Sequence, residues 1–78
     1  MQEFIDNLKD AVEIFEEIEM SDDTDFKSVH DWDSIALISI MASISSNYYI
    51  TLTAEEILES KTVSDLWNLV QTKKEELI

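Results

Sequence analysis

No glycine and no proline occur anywhere in this chain of 78 residues. Every turn must be made by residues that carry a Cβ. Asp, Asn, Ser and Thr, whose short polar side chains bond the local backbone, are the ones suited to it. A glycine-rich phosphate loop is excluded. Cysteine is absent too, which excludes disulfides, thiolate metal sites and a cysteine nucleophile and fits a reducing compartment. With no staple, the expected single domain over 1–78 is held by packing alone, near the size where one core is only just sufficient.

Phe4, Leu8, Ala11, Val12, Phe15 and Ile18 recur at helical spacing, with Glu3, Asp6, Asp10, Glu13, Glu16 and Glu17 mostly opposite them. That pattern predicts an amphipathic first helix. From Glu19 to Asp33 the periodicity stops, and "MSDDTDFKSVHDWD" reads as a long loop held down by Phe26 and Val29. Asp33 or Ser34 suits the N-cap of a second helix. From Ser34 to Ala54 no residue is charged. Ile35, Ile38, Met41, Ala42 and Ile44 form a stripe there, widened by Ile40 and Leu37, and Ala36, Ser39, Ser43, Ser46 and Asn47 take the remaining face. A helix apolar or small nearly all round predicts deep burial, or a face that meets something other than water.

"YYITLT" alternates like a strand but has no pairing partner, so it reads as an extended connection. Thr53 with Glu56 is a capping box that opens a brief third helix through Ile57 and Leu58, ending near Ser60. Thr62 with Asp65 opens a fourth, striped by Val63, Leu66, Trp67, Leu69 and Val70, and the tail from Gln71 to Ile78 is expected to fray. The fold class is all-α: a small four-helix bundle with a long first loop and a short third helix.

Eighteen acidic against five basic side chains give a formal net charge of -13. Such a polyanion is unsuited to nucleic acid and to anionic membrane surfaces. Its complement is a basic patch on a protein partner. The uncharged run holds five serines, an asparagine and two threonines, too polar for stable membrane insertion. The N-terminus "MQEFIDNLKD" lacks a secretory pattern. A cytoplasmic monomer is expected.

Candidate catalytic groups are few. Most carboxylates lie on solvent faces, without the burial or like-charge pairing that shifts a pKa. "DDTD" at 22–25 lacks the glycine and the terminal glutamate of a calcium loop, so no metal site is assigned. His30 is the one histidine; a Ser-His-Asp arrangement with Ser34 would have no oxyanion hole. The chain is not expected to be an enzyme. Trp67 reads as core, whereas Trp32, beside the serine, invites a functional reading.

The segment "WDSIALISIMASI" resembles the prosthetic-group site of acyl carrier proteins, an Asp-Ser-Leu at the start of a second helix followed by apolar positions at helical spacing. Asp33 and Ser34 match, and Ile35 replaces the leucine. Phe26, Ile38, Ile40, Met41, Ile44, Leu52 and Val63 fall at family core positions. The resemblance implies that a phosphopantetheinyl transferase moves 4'-phosphopantetheine from coenzyme A to Ser34, and that the arm's thiol then carries acyl groups as thioesters. Asp33 would support the helix start and the transferase's magnesium site. A phosphodiester on the first turn of a helix meets orphan N–H donors and the positive end of the dipole.

The same resemblance implies an acyl cavity among Ile38, Met41, Ile44, Ile57 and Leu58. It also implies partners that load, condense and transfer acyl groups in fatty acid, polyketide or related lipid biosynthesis. The chain departs from housekeeping carriers in Asp31 and Trp32, and in a second helix that shows Ala36, Leu37, Ser39 and Ser43 where acidic residues are usual. Docking is therefore expected on a neutral patch of Trp32, Ile35, Leu37 and Ser39 flanked by Asp31, Asp33, Glu55 and Glu56, in a specialised carrier. The alternatives are an aminoacyl or peptidyl carrier of a nonribosomal pathway and an unmodified helical interaction module.

Overall fold

The computed structural model describes residues 1–29 and 32–76. The sequence expectations for His30 and Asp31 fall outside the described residues.

Helix α1 runs Gln2–Ala11 and buries Phe4, Ile5 and Leu8. It stops earlier than its spacing suggested. Val12 is extended at φ -117°, ψ 106°, and Glu13–Phe15 form a 3₁₀ turn. In that turn the Phe15 N–H donates to the Val12 carbonyl at 3.0 Å and the Ile18 N–H to the Phe15 carbonyl at 3.4 Å. The expectation of one helix through Ile18 is corrected, and Ala11, which it placed on the apolar stripe, is exposed. The spacing itself changes there: Phe4, Leu8 and Val12 are separated by fours, Val12, Phe15 and Ile18 by threes. Three residues per turn is the 3₁₀ repeat, and it keeps Val12 and Phe15 aimed into the core.

Helix α2, Ser34–Tyr48, buries Ala36, Ile40, Ser43 and Ile44. This corrects the expected stripe, because Ile35 and Ile38 are 71% and 63% exposed. A helix nearly apolar all round has no angular contrast, so packing decides which side faces inward. Here the small residues Ala36 and Ser43 turn inward. The Ser43 hydroxyl donates to the Asn7 carbonyl at 3.4 Å, the Asn7 amide donates to the Tyr48 hydroxyl at 3.1 Å, and the Phe4 and Tyr48 rings lie 5.9 Å apart. Helices α1 and α2 are thus antiparallel, with the 3₁₀ turn beside the start of α2.

Tyr49 closes α2 in the left-handed region, φ 58°. The connection to α3 is extended, as expected, with Ile50 and Leu52 buried and Thr51 between them exposed.

Helix α3, Ala54–Glu59, has its capping box complete. The Thr53 N–H donates to Glu56 Oε1 at 3.0 Å, and the Glu56 N–H donates to Thr53 Oγ1 at 3.1 Å.

Helix α4, Val63–Glu76, starts in the same way, the Asp65 N–H donating to Thr62 Oγ1 at 3.2 Å. The long loop closes over its first turn. The Val63 N–H donates to the Thr24 carbonyl at 3.0 Å and the Ser64 N–H to the Asp22 carbonyl at 2.8 Å. The acid-rich stretch before Phe26 therefore serves through its backbone. The expected fraying from Gln71 is corrected as far as Glu76, where the helix still continues, and Leu77 and Ile78 lie outside the described residues. Lys73 is 3.0 Å from Glu56 and Lys74 Nζ lies 5.6 Å from the centre of the Tyr48 ring, and these tertiary contacts hold the last turns.

The buried side chains form one cluster, with Phe4, Phe15 and Phe26 fully enclosed. Aromatic rings mark its two ends. Trp67 packs on Phe4 at 4.9 Å and on Tyr48 at 5.7 Å. At the other end, two residues before Ser34, Trp32 stacks on Phe15 at 6.4 Å and meets Phe26 edge-on at 5.9 Å.

Candidate functional site

Two adjacent oxygen-bearing side chains, Asp33 and Ser34, compete for one cap, and Asp33 takes it. Its backbone is extended at φ -149°, and its carboxylate accepts from the Ala36 N–H at 2.9 Å. The Leu37 N–H closes on the Asp33 carbonyl at 3.2 Å. Ser34 becomes the first helical residue, with an exposed side chain. Its hydroxyl is left out of the capping and faces solvent.

The starts of α2 and α4 differ in a way that bears on chemistry. In α4 the N–H groups of Val63, Ser64 and Asp65 all have acceptors. In α2 the N–H groups of Ser34 and Ile35 have none among the described residues. N–H groups at a helix start, with the dipole behind them, favour an anionic group on that turn. An exposed hydroxyl on the same turn is placed to carry one. The residues present thus fit a phosphodiester-linked group on Ser34.

The structure places the other sequence-assigned residues as follows. Trp32 is half-buried against Phe15 and Phe26, so only part of it is open to a partner. Ile35 is exposed; Leu37 and Ser39 are half-buried, and at about 100° per residue they lie about 160° apart around the helix. These two do not share one patch. Ala36 and Ser43, read from sequence as part of the neutral docking face, are buried instead, because α1 packs on them. Glu55 is exposed, while Glu56 is engaged in the capping box and with Lys73. The Thr53 N–H, and then Lys73, hold the Glu56 carboxyl below the usual glutamate range; pairing with Glu56 raises Lys73.

The five residues assigned to an acyl cavity are divided. Ile44 and Ile57 are fully buried, Met41 is half-buried, and Ile38 and Leu58 are exposed, Leu58 at 46%. Ile38 is outward because the inward side of α2 is centred on Ile40. An acyl chain reaching Ile44 and Ile57 has first to part α2 from α3.

Sequence reasoning missed the other flank of Ser34. Val12 and Ile14, together with Ala36, Ile35 and Ser39, line a cavity of about 320 Å³ at the start of α2. The change of apolar spacing at Val12 was the available signal for a turn there. Among the described residues no cluster of side chains suits a metal ion, and no helix is long and apolar enough to cross a membrane.

A sequence model of the family described as phosphopantetheine attachment site matches residues 2–70, from the first residue of α1 to the buried Val70 of α4. No curated protein and no solved structure matches the chain.

Proposed function

Because the chain belongs to the phosphopantetheine attachment-site family, we propose that Ser34 is the residue that receives the group and that the chain serves as a stand-alone acyl carrier. Members of this family hold 4'-phosphopantetheine covalently and are carriers rather than catalysts. The observation that carries the assignment to Ser34 is the division of labour at the start of α2: Asp33 makes the cap, and the neighbouring hydroxyl stays exposed on the turn that favours an anion.

The group, when attached, supplies the terminal thiol on which acyl groups travel as thioesters. This chain's own residues present it. Asp33 fixes the first turn, Trp32 anchors the preceding loop on Phe15 and Phe26, and the exposed Ile35 and Ile38 offer apolar contact to an enzyme next to the attachment point. Leu37, Trp32 and Ser39 contribute at the edges of that surface, and Glu55 and Glu56 supply flanking charge for a basic partner. Longer acyl chains shelter between α2 and α3 among Met41, Ile44 and Ile57, where each buried methylene contributes about 0.8 kcal/mol. An uncharged α2 departs from the acidic surface of housekeeping carriers, which supports a specialised role with dedicated enzymes in a cytoplasmic lipid or polyketide pathway.

Intact mass after incubation with coenzyme A, magnesium and a broad-specificity phosphopantetheinyl transferase tests the assignment. The wild type is expected to gain one phosphopantetheine and Ser34→Ala none, with the stability of the variant within about 0.5 kcal/mol of wild type, as for an exposed side chain that makes no cap. Equal gain in both proteins, or none in the folded wild type, would sink it.

A further inference from the structure

Helix α2 has one side that the fold leaves open. Its inward side is centred on Ile40, but the surface turned outward and toward α1 carries no charge, and Ile35, Ala42 and Ser46 are exposed on it. Two depressions, of about 320 and 460 Å³, follow this side along the seam with α1, and Ala11 and Ser39 line both. Ser34 lines neither. At about 100° per residue, Ser46, Ser39 and Ser43 lie about 120°, 140° and 180° around α2 from it, so the attachment turn faces elsewhere. We infer that this α1–α2 surface is a second docking site, one that takes a basic amphipathic helix of a partner protein and leaves Ser34 open while it does so.

Shape selects a helix. Two antiparallel helices leave a furrow between them, and this one is floored by Ala11, Ser39, Ala42, Ser43 and Ser46. Side chains this small let a third helix axis approach to about 8–10 Å. From Ile35 to Ser46 the furrow runs about 16 Å at about 1.5 Å per residue, which is about three turns of a docked helix. Such a helix presents apolar anchors at i, i+3 or i+4 and i+7. Val12, Ile14 and Ile35 form the apolar end that receives the largest of them, and Asn7, Ser46 and Asn47 at the far end suit its polar residues.

Charge selects the sign of the partner. Asp10 and Glu13 stand on the α1 rim and Asp33 at the near end, and no lysine lines either depression. The chain is most acidic behind that rim: residues 1–25 hold ten acidic side chains and one lysine, whereas residues 50–78 hold six and three. On the α3 side Glu56 is already met by Lys73. A second copy of this chain is a poor occupant, because it brings Asp10 and Glu13 against acids of its own. Lys or Arg on both flanks of an apolar helix stripe complements the rim and steers the approach. A carrier held in this way keeps Ser34, Ile38 and Leu58 free for the enzymes that act on its arm, with Ile35 where the two surfaces meet.

A synthetic helical peptide of about 14 residues, with leucine and alanine on one face and lysine on both flanks, tests this against the ¹⁵N-labelled protein. Amide shift changes are expected through Ala11, Ser39, Ala42 and Ser46, with Ser34, Ile38 and Leu58 unmoved. A permuted peptide of the same composition, lacking the apolar face, is expected to bind about ten-fold more weakly. Asp10→Lys with Glu13→Lys is expected to weaken the peptide about ten-fold. Glu59→Lys with Glu75→Lys makes the same change in net charge at exposed positions elsewhere and is expected to weaken it about two-fold at most. Phosphopantetheine transfer, followed by intact mass, is expected at the same rate with the peptide bound. The tethering use rests on the carrier reading above, and a failure of that reading shows as no mass gain without peptide, apart from any result on binding. No binding, equal binding of the permuted peptide, equal losses in the two charge variants, or a peptide that blocks the transfer would overturn the inference.

Discussion

At the scale of single residues, a chain without glycine has to place an ordinary side chain wherever the backbone turns left-handed, and Tyr49 is where that happens. It ends α2 at φ 58°, ψ 35° and is 86% exposed. A left-handed L-residue costs about 1–2 kcal/mol, and glycine at this position avoids the cost but loses part of the gain to unfolded-state entropy. Tyr49→Gly is therefore expected to raise stability by about 0.5 kcal/mol, read as a higher denaturation midpoint with an unchanged slope. A lower midpoint would mean that the exposed ring makes contacts worth more than the strain. The position was not legible in the sequence, because the usual marker of a left-handed cap is the glycine this chain lacks. The cap of α2 was half legible: composition narrowed it to Asp33 or Ser34, and only the backbone showed that Asp33 takes it, which is the fact that frees Ser34.

At the scale of elements, what the sequence spelled locally is what the structure kept. Both capping boxes, at Thr53 and Thr62, are formed, because a cap depends on residues three apart and on nothing distant. The inward face of α2 and the persistence of α4 past Gln71 depend on what packs against them, so local pattern could not decide them. Helix α3 shows both influences. Six residues are too few to be helical alone, and it is held by its capping box, by Lys73 on Glu56 and by Lys27 Nζ donating to the Leu58 carbonyl. Because the Glu56 carboxyl is held below its ordinary 4.5, its charge stabilises the fold above that value, and the contribution fades as pH falls through the lowered pKa. Lys73, raised above 10.5, gives its share at all lower pH and loses it only as pH rises through the raised value. Glu56→Gln keeps an acceptor for the Thr53 N–H and removes the charge, so it is expected to be less stable than wild type at pH 7, with the difference shrinking as pH falls through the lowered Glu56 pKa. Parallel stability curves across that range would show that the hydrogen bond alone, without the charge, secures α3.

At the scale of the whole molecule, the charge of -13 acts on two equilibria with opposite signs. Within the folded chain it is self-repulsion, which salt screens over a Debye length of about 10 Å at 0.1 M. Between the chain and a basic enzyme it is attraction, which the same salt weakens. Raising potassium chloride is therefore expected to raise the denaturation midpoint while lowering the transferase's kcat/KM toward Ser34, and chloride avoids the exclusion effects by which sulfate would stabilise any fold. With the proposed attachment at Ser34, the phosphodiester adds negative charge to the same surface, so the rise in midpoint is expected to be larger for the holo protein than for the apo protein. The two readouts separate two uses of the acidic side chains. If stability rises and kcat/KM does not fall, the charge serves solubility and the enzyme docks through the apolar residues Ile35 and Ile38 alone. If both move as expected, the acids bordering α2 and α3 guide the partner to Ser34, and this carrier tolerates internal repulsion because the field that produces it also brings its enzymes.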